Sequence, residues 1–433
     1  MEIIIIVLCL VAILYANNHY EHFYNPISFF CVIWLVIVTL AMMQLNDLNE
    51  TSQKAYAIVL VGVFCFIIGS AVGIRKKLVL GKVGSLSNYV YDSGCWYKKK
   101  FRLNTKVVWL FTIVTLIVLL IQLSSIALLY LQGASMHDVR VIYASGNYAL
   151  ESGNVFLSIL NTYIARPFEV AVMPLSAIAF FQEKRKNWGL LISGIVIVVL
   201  QIIIDAGRVG IIQWLFCVAF IYIFTSQQLF HGRISAKIKF RITLIAIICF
   251  MVLMYLSSLR EIEDTTSSFY AYICGCMPYM DARLENVDSS GIFTYGASAM
   301  FGLTTVVSWL LSIIGMYPTF FTVVTNMASV QEYYFIGRKI EFNAFVTTFY
   351  HFYIDGRWLG VVLGMLVYGY FCGRCYNNVT KNASSKTLYI YTLVLIGLLF
   401  SMVRFPFVKT NYALALCYGS LFFKKYFSDE KNV

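Results

Sequence analysis

The stretch VFLSILNTYIARPFEVAVMPLSAIAFF, residues 155–181, decides how the chain is read. It exceeds the roughly 20 apolar residues that cover the hydrocarbon core of a bilayer, yet it carries Arg166, Pro167, Glu169 and Pro174 inside it. A charge near the bilayer centre costs about 2.5–3.5 kcal/mol even on the lenient insertion scale, so such residues mark function by default. Arg166 and Glu169 are three apart, share a helix face and can pair. The prolines remove backbone donors, which is tolerated at membrane depth only beside protein or a wet cavity. A plainer reading lets Arg166 extend along its aliphatic stem to the outer headgroups.

Similar apolar runs flank this one. Residues 3–16, 27–45, 55–74, 107–132, 188–204, 209–226, 242–259, 357–372, 388–403 and 412–423 bring the expected count to about eleven spans. The first lacks the basic flank and small-residue cleavage site of a signal peptide and is read as a span. Of the 433 residues, 60% are hydrophobic and 12% charged, where soluble chains average about 45–50% and about 25%. The expectation is an all-α polytopic membrane protein.

Charge sets the orientation. Connections 75–106, 182–187, 227–241 and 373–387, with the C-terminal tail, hold 22 of the 33 basic residues. That side is expected to be the cytoplasm, with the N-terminus outside. The net charge of +12 therefore reflects topology and implies no nucleic-acid partner. Three regions follow: a bundle of eight spans over 1–259, a large extracytoplasmic segment over 260–356, and three spans with a cytoplasmic tail over 357–433. Within the large segment, the apolar run 299–321 is long enough to cross. Crossing would put Lys424 and Lys425 outside, so the run is read as re-entrant or interfacial.

Arginine far outnumbers lysine on the expected outer side, at positions 140, 166, 208, 260, 283, 338, 357 and 404. Arginine is the residue of planar, bidentate phosphate recognition, so an outward cavity lined by arginine suggests a lipid-linked phosphate or pyrophosphate. Asp205-Ala206-Gly207-Arg208 forms an outward turn, readable either as a simple hairpin or as a second arginine facing the vestibule of Arg166. No nucleotide-binding glycine loop, H-E-x-x-H or G-x-S-x-G occurs, and no D-x-D lies in an outward connection, so neither cofactor nor metal is implied. The eleven cysteines show no disulfide framework, and Cys372-Gly373-Arg374-Cys375 has no second pair to complete a metal site.

Three stretches carry a likeness to a known family: Tyr24-Asn25-Pro26 with Phe29 and Trp34, the 205–208 hairpin, and Phe342-Asn343, Thr347, Tyr350, Asp355-Gly356 and Gly360 ahead of a span. With the span number and one dominant outward segment, the chain resembles the O-antigen polymerase (Wzy) family over most of its length. The resemblance implies a metal-independent, GT-C-like membrane glycosyltransferase in a bacterial cytoplasmic (inner) membrane, its active site facing the outside or periplasm. Such an enzyme transfers a growing glycan from undecaprenyl pyrophosphate onto a new lipid-linked repeat unit. Membrane lipids and lipid-linked oligosaccharides are the implied partners, and a chain-length regulator protein is compatible with them. Arg166 and Arg208, then Arg260, Arg283 and Arg338, are the expected pyrophosphate ligands. Glu169, Asp205, Asp355 and His351 are the candidates to accept the acceptor's proton. The chain lacks an outward Arg followed by Gly after ten intervening residues, and the H-x7-E-G pattern of lipid A O-antigen ligases. A ligase-like glycosyltransferase and a flippase of lipid-linked oligosaccharide are the alternatives. The flippase is disfavoured by the single dominant outward segment and the lack of internal repeats.

Overall fold

A computed structural model describes residues 1–20, 22–75, 89–92, 95–134, 155–183, 186–205, 209–229, 265–316, 318–328, 333–338, 340–342 and 345–428. In chain order come α1 (Glu2–His19), α2 (Pro26–Met42), α3 (Gln53–Ile74), β1 (Tyr89–Asp92), β2 (Cys95–Leu103) and α4 (Thr105–Leu131). Next are α5 (Val155–Phe181), α6 (Trp188–Asp205), α7 (Val209–Leu229), α8 (Thr265–Cys274) and α9 (Cys276–Ser290). The remainder holds α10 (Phe301–Ile313), α11 (Thr319–Ala328), β3 (Tyr334–Phe335), β4 (Glu341–Phe342), α12 (Thr347–Lys381), α13 (Ser385–Leu399), α14 (Thr410–Tyr418) and β5 (Phe423–Ser428).

Among the described residues, seven helices are long and apolar enough to cross a membrane: α1, α3, α4, α5, α6, α7 and α12. That is the architecture of a multi-pass helical membrane protein. α2 and α13 are apolar but shorter, at 17 and 15 residues. The expected span 242–259 lies outside the described residues. The expected span 412–423 is a nine-residue helix followed by a strand; at about 1.5 Å per residue its helical part covers about 14 Å. The apolar run 299–321 breaks into α10 and the start of α11. At 13 residues, α10 reaches only about 20 Å. It ends in a Schellman motif: Met316 N–H donates to Leu311 O (3.0 Å), Gly315 N–H donates to Ser312 O (3.1 Å), and Gly315 takes φ +77.

The chain forms two compact units, each drawn from separated stretches. The first comprises Met1–Lys76, Glu261–Lys381 and Val394–Ala413. Its centre is the α3–α12 pair. A methyl group on Gly69 would fall 2.2 Å from the Leu366 carbonyl oxygen, and one on Gly373 would fall 2.3 Å from that of Ser70. Side-chain-free positions let the two backbones touch, the packing that associates helices where lipid removes the hydrophobic drive. Ser70 Oγ adds a hydrogen bond to Gly369 O at 3.1 Å. An aromatic cluster of Phe30, Trp34, Phe66 and Phe349 fills the space beside this seam, with Phe30 and Phe66 centroids 4.0 Å apart. The Tyr24-Asn25-Pro26 motif has a local reason: Asn25 Oδ1 accepts from Ser28 N–H at 2.8 Å and Pro26 occupies the first helical position, so the motif caps α2.

The second unit comprises Lys77–Arg260, Asn382–Leu393 and Leu414–Val433. Phe111, Phe168 and Phe422 pack together in it, with centroids 5.3 to 5.7 Å apart. A three-stranded antiparallel sheet, ordered β1-β2-β5, is an element that hydropathy gave no sign of. β2 pairs with β5 from Lys98↔Ser428 to Leu103↔Phe423. Hydrogen-bonded strands must lie on one side of a bilayer, so an even number of crossings separates residues 103 and 423.

Two predictions follow from these seams. Gly69→Ala and Gly373→Ala each force backbone apart, and overpacking of this kind costs about 1–3 kcal/mol. Each should lower the Tm of the detergent-solubilised protein, while Val11→Ala on an exposed face of α1 should not. Topology reporters inserted after Asp92 and fused behind Val433 should report the same side, and opposite sides would contradict the β2–β5 pairing.

Candidate functional site

The second unit carries the charges buried in α5. Residues Asn161–Ala165 form a π-helical turn, in which Arg166 N–H reaches back to Asn161 O. Such one-turn insertions recur at functional sites. Pro167 supplies no N–H, and the Tyr163 carbonyl, its partner in a regular α-helix, accepts instead from Tyr418 Oη at 2.7 Å. Irregular backbone within an apolar helix is thereby satisfied by protein, as its depth demands. The turn delivers Arg166 and Glu169 to one face, where Arg166 Nη1 donates to Glu169 Oε2 at 3.2 Å. The same nitrogen donates to Asp205 Oδ2, at the end of α6, at 2.9 Å. The Glu169 side chain is completely buried, whereas those of Arg166 and Asp205 are 15% and 23% exposed, so the trio opens to its surroundings through the latter two. Glu169 Oε1 has no hydrogen-bond partner.

This arrangement bears on the expected roles. Arg166 does pair with Glu169, as the three-residue spacing suggests. Its guanidinium bridges two carboxylates, so an anionic ligand there must share it with them or displace one. Chemically, the trio is a fixed cation flanked by two acceptors, one of which keeps a buried oxygen without a hydrogen-bond partner.

The first unit gathers another set. Asp355 on α12 accepts from Thr294 Oγ1 (2.5 Å), Ser298 N–H (2.9 Å) and Ala299 N–H (3.0 Å), and its carbonyl accepts from Tyr295 N–H (3.1 Å). The carboxylate thus fastens the loop 294–299 to α12. One turn earlier on the same face, His351 is fully buried with Nδ1 3.2 Å from Ser298 Oγ. Its Nε2 has no partner, and Arg404 is near enough to act on the ring electrostatically. Arg283 is buried, donates from Nε to Tyr350 Oη at 3.3 Å and lies over the Tyr334 ring at 5.6 Å. Arg338 is exposed. Arg208 and Arg260 lie outside the described residues. The structure therefore brings Arg166, Glu169 and Asp205 together in one unit and His351 and Asp355 together in the other.

Arg357 was legible only as one more outward arginine. In the structure it sits at a break in α12, with φ +52 beside Gly356. Non-glycine residues rarely occupy that region, and such strain gathers at functional positions. Its Nη2 donates to Val287 O at 2.5 Å, its Nε lies 3.5 Å from Asp288 Oδ1, and the guanidinium faces the rings of Phe293 (4.9 Å) and Tyr353 (5.6 Å). Asp288 also pairs with Lys54 and accepts from Tyr353 Oη at 2.8 Å. Burial alone would raise the Asp288 carboxyl, but hydrogen bonds from Lys54 and Tyr353 and the charges of Lys54 and Arg357 outweigh it and hold the group below the usual carboxylate value. The one sequence signal for this latch is a glycine, Gly356, interrupting an otherwise helical run.

Two outcomes test this geometry. Removing Arg166 strips the buried Glu169 carboxylate of its guanidinium, and breaking a buried pair in this way costs about 3–5 kcal/mol. Arg166→Ala should therefore lower the Tm of the solubilised protein more than Glu169→Gln does. The Asp288 latch contributes stability above the ordinary aspartate pKa and loses it as pH falls through the lowered folded value. The Tm gap between wild type and Asp288→Asn should be open at pH 6 and shrink on acidification toward pH 3.

No family model, curated protein or solved structure matches this chain, so its functional reading rests on its own residues.

Proposed function

We propose that the chain is a GT-C-like membrane glycosyltransferase that polymerises undecaprenyl-pyrophosphate-linked oligosaccharide repeat units at the outer leaflet of a bacterial cytoplasmic membrane. The observation that carries this reading is the Arg166–Glu169–Asp205 network inside apolar helices, with one buried carboxylate oxygen of Glu169 lacking a hydrogen-bond partner. In the reaction, a hydroxyl of the incoming repeat unit attacks the anomeric carbon of the growing glycan. The new glycosidic C–O bond forms as the bond to pyrophosphate breaks, and undecaprenyl pyrophosphate departs with the bonding electrons. The hydroxyl proton needs an acceptor within hydrogen-bond reach; in this reading Asp205, the partly exposed carboxylate, takes it, with the buried Glu169 as the alternative. A fixed guanidinium beside them stabilises negative charge as it develops on the leaving group. A membrane-embedded position suits substrates whose polyprenyl tails never leave the bilayer, and apolar surroundings limit wasteful hydrolysis.

The same buried charges favour a second reading, a flippase of lipid-linked oligosaccharide, because proton relays in transporters use intramembrane carboxylates. One experiment separates the two. The gene is deleted in its native host, and the surface glycan is resolved on a gel after complementation with wild type, Glu169→Gln or Arg166→Ala at matched membrane levels. A polymerase predicts collapse of the long ladder to a single repeat unit, restored by wild type and by neither variant. Loss of every repeat unit, the single one included, supports the flippase or a ligase and removes the polymerase. An unchanged ladder overturns both readings, and full restoration by both variants keeps the polymerase while removing the trio from its mechanism.

A further inference from the structure

The segment between the Schellman turn of α10 and the end of α11 contains a cleft that no step above uses. It has a volume of about 240 Å³ and is lined by Ser308, Pro318, Phe321, Thr322, Thr325 and Asn326. α11 is two-faced: Val324 and Ala328, four apart, are buried, while Thr322, Thr325 and Asn326 are exposed. These three recur at helical spacing and share a face, and Ser308 comes from α10. The surrounding surface is different in kind, since Ile313, Ile314, Met316 and Phe320 are all exposed apolar residues. A notch with a mostly polar lining thus interrupts an apolar skin.

The lining selects a ligand class. It holds three hydroxyls and one carboxamide, groups that each donate and accept. Thr325 Oγ1 donates to Phe321 O at 2.8 Å, which uses its proton and leaves that hydroxyl as an acceptor. Among the described residues the lining carries no charge, which disfavours phosphate, whose sites draw on cations. Four polar residues of six disfavour an acyl chain. Phe321 and Pro318 offer flat apolar surface alongside the hydroxyls, a combination matching a sugar ring, with its C–H faces and a rim of hydroxyls. The volume falls just below the roughly 300–1,000 Å³ of drug-sized sites, which suits one ring of a larger glycan.

We propose that this cleft is a glycan subsite that holds one neutral sugar residue of the repeat unit. The proposal deepens the polymerase reading and rests on it. A subsite of this kind retains the growing chain between additions, so its loss shortens products without abolishing the linkage.

The test uses the full-length protein in two assays. In the deletion strain, complementation with Phe321→Ala or Asn326→Ala at wild-type membrane levels should shift the ladder toward shorter chains while still forming dimers of the repeat unit. In nanodiscs, the host's own repeat-unit oligosaccharide, released from its lipid by mild acid, should bind wild type and bind Phe321→Ala at least about tenfold more weakly. Inorganic pyrophosphate should not compete. An unshifted ladder with unchanged oligosaccharide binding in both variants overturns the subsite and leaves the polymerase reading intact. Competition by pyrophosphate overturns the assigned ligand class. A deletion that leaves the ladder unchanged removes the polymerase reading, and the nanodisc titration then still decides whether the cleft takes sugar.

Discussion

The close approach of α3 and α12 is the constraint on which the first unit depends. In water, helices are driven together by burying apolar faces, but in lipid that drive is absent and intimate contact must replace it. Gly69, Gly73, Gly369 and Gly373 present bare backbone to backbone, each leaving no room for a methyl group. Once the two axes are fixed at that distance, other placements are determined. Phe349 enters the space over Gly62, and Trp34 packs against it with ring centroids 4.7 Å apart. The N-terminal half of α12, carrying His351 and Asp355, is then held where the loop 294–299 can be fastened to it.

The charges are arranged with different logic in the two units. In the second, Arg166 is shared between two carboxylates, a compact network that keeps ions at depth at tolerable cost. In the first, Asp355 has its oxygens filled by three donors and serves as a holder, whereas His351 keeps an open ring nitrogen. Residues of the same chemical type therefore differ in availability, and availability narrows which of them can take part in proton transfer. The proposed polymerase needs both kinds, since a substrate-binding scaffold must be rigid where its reactive groups are not yet engaged.

Legibility followed the physics of each feature. Hydropathy marks a helix because the bilayer forces every backbone polar group to be satisfied locally, and the long helices α3, α4, α5, α6 and α7 match apolar runs in the sequence to within a few residues. The Arg166–Glu169 pair was legible because helical spacing is local. Asp205 as its third member was not, since a contact across 39 residues leaves no mark in spacing. The pairing of β2 with β5 was invisible for the same reason, and Lys-rich segments read as loops. The helical start of α12 at Thr347, ten residues before the expected span, was hidden by polar residues whose partners lie in other elements. Arg357 needed the backbone itself, because nothing in a sequence reports a positive φ at a non-glycine position.

The antiparallel register of β5 against β2 has a consequence for the order in which the molecule comes into being. β2 ends at Leu103 and its partner begins at Phe423, so the ribosome must add about 320 residues, on the order of tens of seconds of synthesis, before the strand can close. During that interval β2 has only β1 of the same connection as a strand partner. β5 is therefore a clasp, and the β2–β5 pairing of the second unit can form only after residue 428 has been made.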